Sequence, residues 1–177
     1  MERDEQSRDA EAKFLQALRN LELSVSQLKD RHFIALAGPL AKKLLQHREQ
    51  AEAALADPDL LIKRAAIIAI ADHWGSSPAF EEYCISTLLD DCDIDLRITA
   101  LSALAKIYQG SAADEVVRLL TRVLRNEAYP EKLRALAYVA LFRVSGKPVD
   151  SAVKMRILRG QFSIPDDVDW SLVESLS

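Results

Sequence analysis

Turn-forming residues are scarce: the 177-residue chain holds 5 glycines and 6 prolines. An all-β chain of this length needs many turns, so the scarcity argues against that class and for helices. Only two cysteines occur, Cys84 and Cys92, too few for a disulfide framework, and reduced thiols are expected. No apolar run approaches the ~20 residues of a membrane span. Residues 2–13 are charged and polar, unlike the apolar stretch of a signal peptide. A cytoplasmic protein with no membrane partner is the expectation.

The residues of catalysis are equally sparse. Three histidines occur, His32, His47 and His73, and no two stand at metal-ligand spacing. There is no phosphate-cradling glycine-rich loop and no Gly-x-Ser-x-Gly elbow. The carboxylates Asp57/Asp59 and Asp90/Asp91/Asp93/Asp95 are clustered in sequence. They fall in turns between helical patterns, where capping of helix ends explains them better than acid–base work. No catalytic residue, cofactor or metal is therefore expected.

What the chain does have is an ordinary folded composition, 49% hydrophobic and 28% charged, with a net charge of −4. The charge is uneven. Residues 33–160 carry sixteen acids and seventeen bases, whereas residues 161–177 carry four acids and no base. The body is thus neither a polyanion nor a strongly basic nucleic-acid binder.

The informative feature is an internal repeat. Asp57-Pro58-Asp59-Leu60-Leu61-Ile62-Lys63 is followed by Ala66, Ala69-Ile70, His73 and Gly75. Asp91-Cys92-Asp93-Ile94-Asp95-Leu96-Arg97 is followed by Ala100, Ala103-Leu104, Ile107 and Gly110. A third copy runs Leu133-Arg134, Ala137, Ala140-Leu141, Val144 and Gly146, with Ala128 and Pro130 where the first two have Asp. The basic residue recurs at 63, 97 and 134, giving periods of 34 and 37. That is the length of one helical hairpin in a stacked array. Asp59 and Asp93 are placed as N-caps, the alanines allow close helix approach, and the glycines follow the last periodic residue, where a left-handed cap needs no Cβ.

This pattern resembles the second helix of a HEAT repeat, over about residues 40–146. The resemblance implies an all-α, short right-handed α-solenoid of about three to four antiparallel helix pairs. It also implies that Lys63, Arg97 and Arg134 pair with turn aspartates of adjacent repeats, and that His73, aligned with Ile107 and Val144, is a core residue. The first helices of each pair are read over residues 40–56, 78–90, 113–126 and 148–160. Residues 39–160 then form the repeats. Residues 1–38 form an N-terminal helical cap or association segment, whose seam of Phe14, Leu18, Leu21, Val25 and Leu28 would also suit a homodimer. Residues 161–177 form an acidic tail, with a short helix over 170–176.

In HEAT pairs the second helices line the concave surface. The side of each facing away from its alanines carries Ala65, Ile68 and Asp72, then Thr99, Ser102 and Lys106, then Leu136, Val139 and Arg143. Ile68, Leu136 and Val139 are apolar where water is expected, which marks an interaction site for a protein or peptide. The leading expectation is a non-catalytic interaction scaffold. Two further expectations stand beside it. Arg118, Arg122 and Arg125 form a basic stripe at i, i+4 and i+7 that would suit nucleic acid, as in HEAT-like DNA glycosylases, although a net body charge near zero disfavours it. A lyase or chaperone for a small apolar ligand, as in HEAT-like bilin lyases, is the third. The His-Glu pairs by which HEAT-like deoxyhypusine hydroxylase holds iron do not occur. A competing expectation is self-coverage: the N-terminal helix or the acidic tail folds back over the concave face, with Trp170 as a plug and the tail's acids suited to Lys106 and Arg143.

Overall fold

A computed structural model describes residues 48–164 and 166–176. The N-terminal segment 1–38, its seam, and most of the first predicted helix lie outside the described residues. Among the described residues there are eight helices and no strand: α1 (Arg48–Ala54), α2 (Leu60–His73), α3 (Pro78–Asp90), α4 (Ile94–Ile107), α5 (Asp114–Arg125), α6 (Glu131–Val144), α7 (Ser151–Leu158) and α8 (Trp170–Leu176). The chain is all-α. The described residues divide into two compact units, with the boundary between Gly75 and Ser76. None of the described helices is long and apolar enough to cross a membrane.

In the first unit α1 packs on α2. Asp57 and Asp59 build the turn between them. The Asp57 carboxylate accepts the Asp59 N–H at 2.8 Å, and the Asp59 carboxylate accepts the N–H groups of Leu61 (2.7 Å) and Ile62 (3.3 Å). This is an Asx turn leading into an N-cap, which satisfies amides that the helix leaves without a partner. Helix α2 is buried around most of its circumference, including Leu61, Ile67 and Ile70.

In the second unit α3 packs on α4, α5 on α6, α4 on α6, and α7 on α6. The entry to α4 repeats the device of α2: Asp91 accepts the Asp93 N–H at 2.7 Å, and Asp93 accepts the Leu96 N–H at 2.7 Å. The entry to α6 departs from it. Pro130 occupies the cap without a side-chain bond, and the Asx turn moves upstream to Asn126, which accepts the Ala128 N–H at 3.0 Å. The longer second period, 37 against 34, accommodates that displaced turn.

The recurring basic residue acts differently from expectation. Arg97 Nε donates to the Leu88 carbonyl at 2.8 Å and Arg134 Nε to the Leu124 carbonyl at 2.9 Å. The guanidinium closes the carbonyl end of the preceding helix, where the helix dipole is negative. Its hydrogen-bond partners are main-chain oxygens and not turn aspartates. The Arg97 guanidinium also lies 4.3 Å from the Tyr129 ring centroid, tying α4 to the turn before α6.

The far ends of α4 and α6 are joined through their turns. The Gly110 N–H donates to the Arg143 carbonyl (3.0 Å) and the Ala112 N–H to the Val144 carbonyl (2.9 Å). Arg143 Nε donates to Gln109 Oε1 at 3.0 Å. A Cβ added at Gly146 would stand 3.3 Å from the Gly110 Cα, and Gly146 has φ +68°. Side chains are excluded there twice over, by the left-handed backbone and by the neighbouring turn.

The tail from Gln161 runs along α6 and not toward Lys106 and Arg143. Phe162 lies 5.7 Å from the Tyr138 ring, the Ile164 N–H donates to Glu131 (3.2 Å), and the Asp169 N–H to the Tyr138 hydroxyl (3.3 Å). Phe162, Ile164, Val168 and Val173 are all buried, each contributing about 2 kcal/mol of apolar burial. A few apolar side chains finding cover outweigh the attraction of exposed charges in water, which is worth about 1 kcal/mol per pair at most. Trp170 stands 5.5 Å from the Arg125 guanidinium rather than plugging a groove.

Two glycine substitutions separate the two exclusions. Gly160 has φ +64° but open space around its missing Cβ. Gly160→Ala should cost about 1 kcal/mol, from backbone strain alone. Gly146→Ala should cost clearly more, because its Cβ also presses on the Gly110 turn. Urea unfolding of the two variants checks the order.

Candidate functional site

The outward residues of α4 and α6 form the candidate interface of the second unit. On α4, Ser102 is exposed and Lys106 half-buried; on α6, Leu136 and Val139 are half-buried and Arg143 is exposed. The bonds from Gly110 and Gln109 to the end of α6 hold these two helices side by side. Their equivalent positions therefore lie on neighbouring rods. Leu136 and Val139 are partly wet apolar groups, and the Arg143 guanidinium beyond them is steered by Gln109.

Thr99 does not belong to that surface. It is 9% exposed, and its hydroxyl donates to the Asp95 carbonyl at 2.8 Å, back along its own helix. Because α4 packs on both α3 and α6, its flanks are covered and the open strip narrows to Ser102 and Lys106. In the first unit Ile68 is half-buried and Asp72 exposed, whereas Ala65 is fully buried. The small side chain of Ala65 lets the chain close over it. His73 also departs from expectation: it is exposed in the last turn of α2, with its ring 6.4 Å from Trp74 in an edge contact. In the last turn of α2 the ring lies beyond the packed side of the helix and needs no core place.

The basic stripe on α5 is thinner than its spacing suggests. Arg125 pairs with Glu174 at 3.5 Å and lies by Trp170, so the tail occupies it. Arg118 and Arg122 remain exposed, lining a shallow cleft with Glu115 and Leu119. Glu115 sits one turn before Leu119 and lowers the positive potential of that cleft.

Other reactive groups are quiet. Burial pushes the Cys84 thiol up to about 12, so it is protonated and inert at neutral pH. Cys92 is exposed, and both cysteines are free. Among the described residues no group of three His, Cys, Asp or Glu side chains could hold a metal ion. A short polar contact links the start of α3 to the end of α4: the Tyr108 hydroxyl donates to Glu81 Oε2 at 2.5 Å. That bond, with burial added, pushes the Tyr108 phenol up to about 12. Its sequence signal was absent, since the partners are 27 residues apart.

No family model, curated protein or solved structure matches this chain.

The Tyr108–Glu81 bond has a testable pH signature. The phenol ionises near 10 when unfolded and at about 12 when folded. Its contribution is therefore complete below pH ~10 and lost as pH rises towards ~12. Tyr108→Phe should remove that part of the alkaline decline, so the two stability curves should converge between those values. Parallel curves in urea unfolding at pH 9 to 11.5 would refute it.

Proposed function

We propose that the chain is a HEAT-type α-solenoid that serves as a scaffold, gripping a protein or peptide partner on the face formed by its second helices. Four observations support the architecture. The Asx-turn caps recur at Asp57/Asp59 and Asp91/Asp93. The guanidinium closures recur at Arg97 and Arg134. Tyr108, past the end of α4, meets Glu81 at the start of α3, as it must if that pair runs antiparallel. Arg97 meets Tyr129 at one end of α4 and α6, and Gln109 meets Arg143 at the other, as expected when second helices run side by side in one direction.

The observation that carries the functional reading is the strip of Ser102, Lys106, Leu136, Val139 and Arg143. Partly wet apolar side chains flanked by cations suit a partner with an apolar anchor and nearby acids. Ile68 and Asp72 take the equivalent positions on α2. A cytoplasmic setting is part of the same proposal. Nucleic acid is disfavoured because the tail takes Arg125 and leaves two arginines, too few for a strongly salt-dependent phosphate contact.

The test is an affinity capture from the native source by wild type and by Ser102→Glu/Val139→Asp. Val139 is half-buried, so the double variant should stay folded at a cost of about 1 kcal/mol. Loss of the captured protein, with the helical circular dichroism signal kept, is the expected outcome. The same protein retained at the same yield would place the grip elsewhere.

A further inference from the structure

Helix α7 is the described helix that buries no side chain. Its inner side, Val153 and Ile157, is half-buried where α7 packs on α6. Its outer side presents, in angular order, Lys154, Leu158, Met155 and Arg159 over an arc of roughly 140°. Leu158 is 78% exposed and Met155 46%, and both cations are exposed. Two large apolar groups therefore stand in water between two positive charges, and no acid occurs from Ser151 to Ile164.

This surface is built on a fixed base. Arg156, on the other side of α7, is held by Asp167 Oδ2 (2.5 Å) and the Gln161 carbonyl (3.2 Å). Asp167 is in turn kept below the usual carboxylate range by the Ser163 N–H and then by Arg156. Beside Leu158 opens a cleft of about 300 Å³ with Ala135, Ile157 and Phe162 in its wall and Lys132 at its rim. Glu131 is the one acid lining it, and its carboxylate is turned to the Ile164 N–H.

We propose that α7 and this cleft dock an acidic amphipathic helix of a partner protein. Charge complementarity selects that occupant. Apolar side chains at i, i+3 and i+4 of the incoming helix cover Leu158 and Met155 and enter the cleft. Its flanking Asp and Glu residues meet Lys154, Arg159 and Lys132. Two apolar side chains are too few to anchor a bilayer, and a phosphate backbone laid here would desolvate against Leu158. The surface is centred on α7 and adjoins the strip only at Lys132, one turn before Leu136 on α6, and it does not depend on that strip's role.

The test uses full-length protein and a fluorescein-labelled synthetic helix of about 14 residues, with leucines at i, i+3, i+4 and i+7 and glutamates flanking them. Anisotropy should report a Kd of about 10–100 μM, as befits a small interface. Leu158→Asp should weaken it at least about tenfold, and Lys154→Glu/Arg159→Glu should do the same while admitting a twin peptide with lysine for glutamate. None of these residues is buried, so circular dichroism should be unchanged. Val139→Asp should leave peptide binding intact. The proposal is overturned by no binding up to ~1 mM, by equal binding of the lysine twin to wild type, or by indifference to Leu158→Asp. It is also overturned if phosphatidylserine vesicles or duplex DNA bind wild type more tightly than the glutamate peptide and lose that binding in the same variants.

Discussion

Every helix ends with backbone groups that its own ladder cannot satisfy, and a chain made of short helices meets that problem at every turn. At the turn between α3 and α4 the solution is a carboxylate at the entry paired with a guanidinium at the preceding exit. Asp93 caps α4, while Arg97, one turn further on, reaches back to the carbonyls of α3. One short stretch thus closes two helix ends and sets the angle between them. Arg134 repeats the second half of the arrangement on α5. Where Pro130 replaces the capping acid, Asn126 restores a turn upstream.

That local closure decides what is left to present. With the ends satisfied internally, α4 and α6 pack on each other as well as on α3 and α5, and Ala100, Ala103, Ala137 and Ala140 are all buried. Small residues on the packed sides allow close approach of neighbouring helices, and a narrow outward strip is left. Width matters to the proposed scaffold role. Thr99 is lost to the flank, and Leu136 and Val139 are only partly wet. A partner would have to offer a slender anchor, such as one edge of a helix or an extended segment.

The sequence was most legible where structure is local. Pro78–Asp90 and Trp170–Leu176 coincide with the helices read from spacing, and the aspartate caps follow from residue type and position alone. It was least legible where a choice between distant partners decides. The recurrence of Lys63, Arg97 and Arg134 announced a structural role. Whether the guanidinium meets an aspartate or a carbonyl depends on where the previous helix stops, which periodicity does not specify. The tail misled for a related reason. Its four acids were conspicuous, yet Phe162, Ile164, Val168 and Val173 decided its path. His73 was placed by alignment with Ile107 and Val144, but one position in a helix's final turn can escape the core that its counterparts enter.

The bare contact between the Gly110 and Gly146 turns has a mechanical consequence. Two backbones that nearly touch, with no side chain between them, form a fulcrum that can scarcely be compressed. The opposite ends of α4 and α6 are joined through softer matter, the Arg97 guanidinium resting on the Tyr129 ring. Any change in volume between these rods must then open or close them like a fan about the glycine edge. A small adjustment at Tyr129 would then be felt along the strip in proportion to distance from the glycine edge, more at Leu136 than at Arg143.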